Sequence, residues 1–352
     1  MKLGILSVVH HADDARIREK LIPALTTDFE VEYHTRPASP SEISEFAWHP
    51  IPGSRLVRNL RLAGRLWSGH FDIVVLVDPE TFLAGVLASR HTKVVFDIHE
   101  NIPDQILRKT ISWRRALAAL AGKVLSLAER AGSITLAEPG YASLFASDSH
   151  PVFENYPAWS HMPDPDQGDG RVVYVGDVTE ERGALDLAQA AAQAGFDLVI
   201  IGRCDPALEE EIVAVTRKLG GSVELTGRLS WGAAMERLTS AAVAVSPLHD
   251  TPNYRHSLPT KVLEYVGVGV PVVATNLPGT AAVLADLPGT MLVQPNDVEA
   301  LRDALVVMSA PEERVAARRS AGQIRATYAW PEKRVQDFYR DLAGLPARAL
   351  DK

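Results

Sequence analysis

Eight consecutive residues, Ser257 to Glu264 in SLPTKVLE, carry a proline-led turn, a lysine and a carboxylate at spacings that suit binding of a nucleoside diphosphate. Ser257, Leu258, Pro259 and Thr260 lead into a helix that bears Lys261 and Glu264, and Gly269 closes it before a buried strand at Pro271 to Thr275. A helix start leaves backbone N–H groups unpaired and concentrates positive partial charge, so diphosphate oxygens can dock on residues 257 to 260. Pro259 does no harm there, where its missing N–H has no helical acceptor. Glu264 lies four residues from Thr260 and three from Lys261, hence on their face, and can accept hydrogen bonds from ribose hydroxyls. Lys261 can neutralise phosphate or sustain Glu264. The competing reading is an ordinary capped α/β connection with a surface ion pair, and spacing alone leaves both open.

Other chemistry-bearing residues fall at strand ends. KVVFDIHENIP, residues 93 to 103, ends in His99, Glu100 and Asn101, where an α/β sheet presents side chains to ligand. SVVHHADDARIREKLIPAL, residues 7 to 25, offers His10, His11, Asp13, Asp14 and Arg16 in a polar turn, with Asp13 or Asp14 also suited to cap the helix. Arg182 in YVGDVTEERG and Arg203 in IIGRC are cations beside neighbouring strand ends, with solvated helix-start charges as the alternative. The acidic DPD at 164 to 166 stands in a proline-rich linker rather than after a strand, so it reads as linker and not as a metal site. Cys204, the histidines and the carboxylates show no zinc-ligand spacing, and no metal or other cofactor is expected.

The elements that must position these groups alternate along the chain. Short β-branched runs at 3–9, 31–35, 73–77, 94–98, 134–137 and 152–154 read as strands separated by amphipathic helices. A polar Pro/Gly-rich stretch at 161–170 interrupts the pattern as a linker. It restarts with strands at 172–175, 198–201, 223–226, 243–246, 272–275 and 291–293. Two doubly wound α/β domains follow, and the 352-residue length suits two cores.

A hydrophobic fraction of 46% with 23% charged residues excludes wholesale disorder, and a net charge of -8 argues against a general nucleic-acid binder. One cysteine excludes an intramolecular disulfide and fits a reducing cytoplasm. The start turns charged too early for a signal peptide and no apolar run approaches a spanning length, so a cytosolic protein is expected. Peripheral membrane contact stays open. SRLVRNLRLAGRLW, residues 54 to 67, puts Arg55, Arg58, Arg61 and Arg65 at helical spacings without an acid, while Leu56, Leu60, Ala63 and Trp67 share another face. A second basic helix spans 113 to 130. The two readings are contact with an anionic membrane or lipid-linked acceptor, and ordinary domain helices with solvated basic faces.

The order SLPTKVLEYVGVGVPVVATNLPG resembles the nucleotide-sugar signature of the retaining GT-B glycosyltransferases of family 4. The resemblance extends over nearly the whole chain. It implies two facing Rossmann-like domains with a cleft between them: an acceptor-side domain at 1–162, rejoined by a crossover helix at 331–352 that includes WPEKRVQDFYRDL, and a donor domain at 163–330. It further implies that Glu264 holds the donor ribose, that Ser257 to Thr260 cradle the diphosphate, and that His99 lies near the transferred sugar and leaving phosphate. Arg182 takes the place of the family's pyrophosphate lysine, and Arg228 with Leu229 borders the base. His10, His11, Asp14, Arg16, Glu100 and Asn101 then rim the acceptor side.

Three departures stand out. Asp177 occupies the place of a common arginine, for which Arg203 is a substitute. The turn at 10–14 lacks the usual glycine pair. His256 stands where the first of two glutamates eight positions apart is usual, leaving Asp250, Asn253, Tyr254 and His256 as alternative sugar contacts. The implied function is metal-independent transfer, with retention, of a sugar from a nucleoside diphosphate to a hydroxyl on a sugar, lipid-linked or small-molecule acceptor in glycan, polysaccharide or glycoconjugate synthesis. The rivals are a nucleotide-sugar epimerase, which needs no acceptor, and a non-catalytic sugar-nucleotide binding module.

Overall fold

Tetrapeptides such as IVVL and VVAT are buried at every position, which suits strands covered on both faces. Among the described residues twelve strands form: β1 (Lys2–Leu6), β2 (Glu30–Thr35), β3 (Ala47–Pro50), β4 (Ile73–Leu76), β5 (Lys93–Ile98), β6 (Ser133–Leu136), β7 (Val172–Val175), β8 (Leu198–Ile201), β9 (Val223–Gly227), β10 (Val243–Ser246), β11 (Val272–Thr275) and β12 (Thr290–Val293). The computed structural model describes the chain except residues 13, 38–45, 109–110, 164–167, 169, 253, 256–257 and 347–352.

The strands make two six-stranded sheets, ordered β3-β2-β1-β4-β5-β6 and β12-β11-β10-β7-β8-β9. Every pairing is parallel. Read from its first strand, the second sheet repeats the order of the first. Strand order therefore reverses between β1 and β4 in one and between β7 and β10 in the other, the places where open α/β sheets bind ligand.

The chain divides into a first unit, Met1–Asn155 with the segment from Trp330 onward, and a second, Tyr156–Ala329. The change of unit falls between Asn155 and Tyr156, earlier than the polar linker suggests, because Tyr156 and Trp159 pack against the second unit's core. Trp159 Nε1 donates to the Tyr328 carbonyl at 3.0 Å. The C-terminal helix, Glu332–Ala343, returns to the first unit, burying Val335 and Tyr339 and setting Phe338 against Phe153 at 5.6 Å between ring centroids.

Two strands differ from the sequence reading. The edge strand β3 was hidden by its sequence AWHP, since Pro50 weakens a strand signal and is tolerated only at an edge. The expected strand at 152–154 shrinks to one bridge, Leu136 to Val152, because Arg334 of the C-terminal helix takes the Val152 carbonyl at 2.7 Å and Phe153 turns to Phe338.

Candidate functional site

In the second unit the loop after β7 meets the end of β10. Gly183 sits at φ 72°, and a Cβ there would lie 2.0 Å from the Pro247 carbonyl oxygen, so only glycine permits this close approach. Gly176, at φ 133°, leaves a nook without side chain of its own. A Cβ built on it would be 3.6 Å from an Arg182 nitrogen, 3.6 Å from the Tyr174 hydroxyl and 3.7 Å from Lys261 Nζ. Three polar groups thus converge on a bare backbone.

Thr179 caps the turn that carries Arg182, accepting from its backbone N–H at 3.3 Å. The guanidinium donates to the Tyr254 hydroxyl at 3.3 Å and to the Asp177 carbonyl at 3.4 Å. Asp177 is exposed at the position where an acid would repel diphosphate. Arg203, at the neighbouring strand end, is exposed and shares with Arg182 and Tyr254 the wall of a pocket also lined by Glu180, Glu181 and Asp205. That acid-rich wall suits an anion poorly. The Gly176 nook is the better phosphate site.

The helix Thr260–Gly267 presents Lys261, Glu264 and Tyr265 in three directions. Tyr265 points inward, and its hydroxyl accepts from the Val175 N–H at 2.9 Å, clamping the helix to the end of β7. Glu264 accepts from Trp231 Nε1 at 3.3 Å. Leu229, Trp231 and Leu258 pack on one apolar cluster, which joins the β9 loop to this helix start. Arg228 beside them is exposed. Pro259 is the residue before the first helical position rather than within the first turn, and its backbone is extended.

Lys261 is the unusual member. Its ammonium is fully enclosed and has no hydrogen-bond partner among the described residues; it stands 3.9 Å from the centroid of the Tyr174 ring. Burial pushes its pKa well below the ordinary lysine value, and the Arg182 charge adds to that against the opposing pull of Asp177 and Glu264. An unpaired buried ammonium is costly, and an anion entering the nook would relieve it. His256 and Ser257, expected here, lie outside the described residues, as do Asn253 and the acidic residues 164–166. Asp250 pairs with Arg255 at 2.5 Å.

In the first unit, a pocket of about 370 Å³ opens at the carboxyl ends of β1, β4 and β5. His10, His99, Glu100, Asp78 and Glu80 line it, over an apolar floor that includes Phe82 and Ile98. His10 bridges two carboxylates, Nδ1 to Asp14 at 2.8 Å and Nε2 to Asp78 at 3.4 Å. Burial disfavours its charge, yet the hydrogen bond and charge of Asp14 outweigh that and the His10 pKa rises. Asp14 is likewise desolvated, but its bond to His10 brings it down to about 2. Such a raised histidine contributes stability fully below its unfolded pKa, about 6.5, and loses it as pH rises through the folded value. Asp14→Asn keeps an oxygen for the backbone N–H groups of Arg16 and Ile17. The expected result is a lower His10 midpoint in an NMR titration; an unmoved midpoint would contradict the ion pair.

His99 Nε2 lies 2.5 Å from Asp97 Oδ2 and accepts from Arg16 Nε at 3.0 Å, so the ring is held between the carboxylate and the guanidinium. Asp97 is buried, accepts from Thr135 at 2.8 Å and pairs with Arg16 at 3.2 Å. Although burial opposes ionisation, these partners, led by Arg16, hold its pKa far below the carboxylate range. The sequence reading needs correction at several positions. Arg16 does not rim the site: it is 7% exposed and spans Asp97, the Phe153 carbonyl and the Trp330 ring as an internal strut. His11 turns towards Arg36, and Asn101 caps a helix by accepting from the Asp104 N–H at 3.1 Å. Neither lines the pocket. Asp78 was missed, although its place after the apolar run IVVLV at a strand end marks it. Its Oδ2 accepts from Ser7 and from the Val8 and Val9 amides, fixing the β1 loop.

Linear spacing hid one histidine cluster. Parallel pairing sets His34 directly opposite His49, and Glu32 two residues away brings three potential ligand atoms within 4.8 Å. Lys2 contacts the same carboxylate at 3.3 Å and Arg65 contacts the His34 ring. Two cations already serve this group, so it reads as a satisfied carboxylate rather than a cation site.

Residues 169–310 match the family described as Glycosyl transferases group 1. A D-inositol 3-phosphate glycosyltransferase of Corynebacterium urealyticum is 34% identical over 98 residues, covering 27% of this chain and 23% of that protein. The sucrose-phosphate synthase of Thermosynechococcus elongatus superposes with a TM-score of 0.73 at 16% identity, over 97% of this chain and 99% of that one. Anabaena Alr3699/HepE, solved in complex with UDP-glucose, gives 0.71 at 13% identity over 98% and 100% of the two chains. The fold of this chain is therefore that of the GT-B glycosyltransferases, and the stretch that holds Arg182, Lys261 and Glu264 is the one that matches glycosyl transferases group 1.

Proposed function

We propose that the protein is a glycosyltransferase that moves a sugar, with retention, from a nucleoside diphosphate to an acceptor hydroxyl. The observation that carries this reading is the Gly176 nook, where an enclosed ammonium without a hydrogen-bond partner among the described residues faces a second cation across a bare backbone. Lys261 and Arg182 bind the diphosphate and, as the sugar bond breaks, stabilise the charge that grows on it. They supply the positive charge that a divalent ion supplies elsewhere, so turnover is expected to survive chelation. Glu264, oriented by Trp231, accepts from the ribose hydroxyls. Anabaena Alr3699/HepE, which shares this fold, is known in complex with UDP and with UDP-glucose, which favours a nucleotide-sugar donor.

The acceptor belongs to the first-unit pocket. Its wall of Asp78, Glu100 and a Glu80 paired with Arg55 offers several hydrogen-bonding groups to a hydroxyl-rich acceptor end. His99, held between Asp97 and Arg16, orients polar groups there without serving as a strong base. In a retaining front-face reaction the leaving phosphate takes the acceptor proton.

Thermal shift against UDP-, GDP-, ADP- and dTDP-sugars tests the donor, since a ligand raises the melting temperature by mass action. Incubation of the preferred donor with and without acceptor, read by NMR, separates transfer from epimerisation and gives the anomeric outcome. Glu264→Ala removes hydrogen bonds to a charged acceptor, each worth about 1.5–3 kcal/mol, so donor affinity is expected to drop about 10- to 100-fold. Unchanged donor kinetics would remove Glu264 from the site.

A further inference from the structure

We propose that the first unit docks on an anionic lipid bilayer through the outer face of three adjoining helices. These are Arg55–Trp67, Phe82–Ala88 and Arg114–Ala131. Their inward residues, among them Leu62, Leu66, Phe82 and Leu125, share one apolar cluster over a single face of the sheet. Their outward residues consequently form one surface.

That surface is apolar where solvent should favour polar groups. The face of the first helix that carries Leu56, Leu60 and Trp67 is turned outward: Leu56 is 71% exposed, Leu60 67% and Trp67 61%. Leu83 and Leu87 continue it on the second helix and Leu120 and Leu127 on the third. Eight of the fifteen exposed large apolar side chains among the described residues lie on these three helices. Monomeric proteins rarely expose so continuous an apolar patch without a partner.

Charge selects the partner. The two longer helices carry Arg55, Arg58, Arg61, Arg65, Arg114, Arg115, Lys123 and Arg130 against a single acid, Glu129, in a chain of net charge -8. Glu129 is occupied by His150 and the Ser147 amide. Arg58 and Arg65 reach inward to the Val8 carbonyl and His34, and Arg55 pairs with Glu80, but Arg61, Arg115, Lys123 and Arg130 are exposed. An apolar stripe bordered by cations, with exposed Trp67 and Trp113, matches the acyl boundary beneath anionic headgroups. A second copy of this surface would set like charges against each other. No helix among the described residues is long and apolar enough to cross a membrane, so the contact is with the surface.

The inference stands apart from the donor site, and its test keeps the two separate. The full chain is floated with vesicles of phosphatidylcholine alone and of phosphatidylcholine with about 30% phosphatidylglycerol, at low and high salt. The protein is expected to float with the anionic vesicles only, and to be released by salt. Arg115→Glu with Lys123→Glu should weaken this binding about 30-fold or more, since each basic residue near the surface contributes substantially. Leu56→Ser with Leu60→Ser should abolish it. Every altered position is exposed, so both variants should keep the wild-type melting temperature and its rise with UDP. Failure of the wild type to float, or equal flotation with neutral vesicles, overturns the proposal. So does wild-type binding by both variants. A dimer in sedimentation velocity that Leu56→Ser with Leu60→Ser dissociates, without vesicle binding, would assign the face to a second copy and also overturn it.

Discussion

Lys261→Met is expected to weaken UDP binding and, in the same protein, to raise the melting temperature without ligand. Methionine keeps the length of the side chain and its contact with the Tyr174 ring but removes a charge that is enclosed and has no hydrogen-bond partner among the described residues. Replacing a poorly compensated buried charge by an apolar group typically stabilises by about 1–4 kcal/mol. In a unit of this size each of these moves the melting temperature by about 2–4 °C. Loss of charge-assisted bonds to phosphate costs about 1.5–3 kcal/mol, or about 10- to 100-fold in UDP affinity.

The pH dependence carries the same signature. The folded pKa of Lys261 lies below the unfolded one, so the unfolded chain binds more protons between them. Stability of the wild type therefore gains from this group as pH rises from the folded value towards about 10.4, and the methionine variant lacks that gain. UDP affinity of the wild type falls over the same interval as the ammonium is lost. Calorimetry with and without UDP measures both. A variant that is less stable yet binds UDP normally would show that Lys261 has a structural role only.

Arg16→Met should produce the largest loss of stability in the first unit, about 3–5 kcal/mol, because it leaves Asp97 ionised in the interior with reduced compensation. The strut also holds the Phe153 carbonyl at 2.9 Å and faces the Trp330 ring at 5.3 Å, so its removal loosens the seat of the C-terminal helix. Hydrogen exchange of the β5 and C-terminal helix amides in urea reads the effect within the unit. The sign with acid follows from the depressed Asp97 pKa. Its contribution is present above the unfolded value, about 3.9, and is lost as pH falls through the folded one. The variant should show a shallower acid loss than the wild type. A change below about 1 kcal/mol would mean that His99 and Thr135 alone suffice for Asp97.

Much of this was readable before any coordinates. Short β-branched runs such as VVLV and VVAT read as buried strands, and their alternation with helices pointed to doubly wound sheets, because parallel neighbours need crossover connections. That Lys261 and Glu264 share one helix was legible from the turn that opens it. Arg16 was not, since nothing in ADDARIREK says that one cation turns inward to Asp97, eighty-one residues away. Asp78 was passed over for a related reason: a single strand-end acid gains meaning only from the amides and the imidazole that gather on it.

Sequence alone determined the periodicities, the glycine and proline punctuation and the helix start, because these are local properties of neighbouring residues. Tertiary structure decided which cations lose their water. It buried Lys261 beneath Gly176, sent Arg16 into the core and turned Leu56, Leu60 and Trp67 outward. Desolvation depends on what the rest of the chain brings to a side chain, and that is set by packing between segments far apart in sequence.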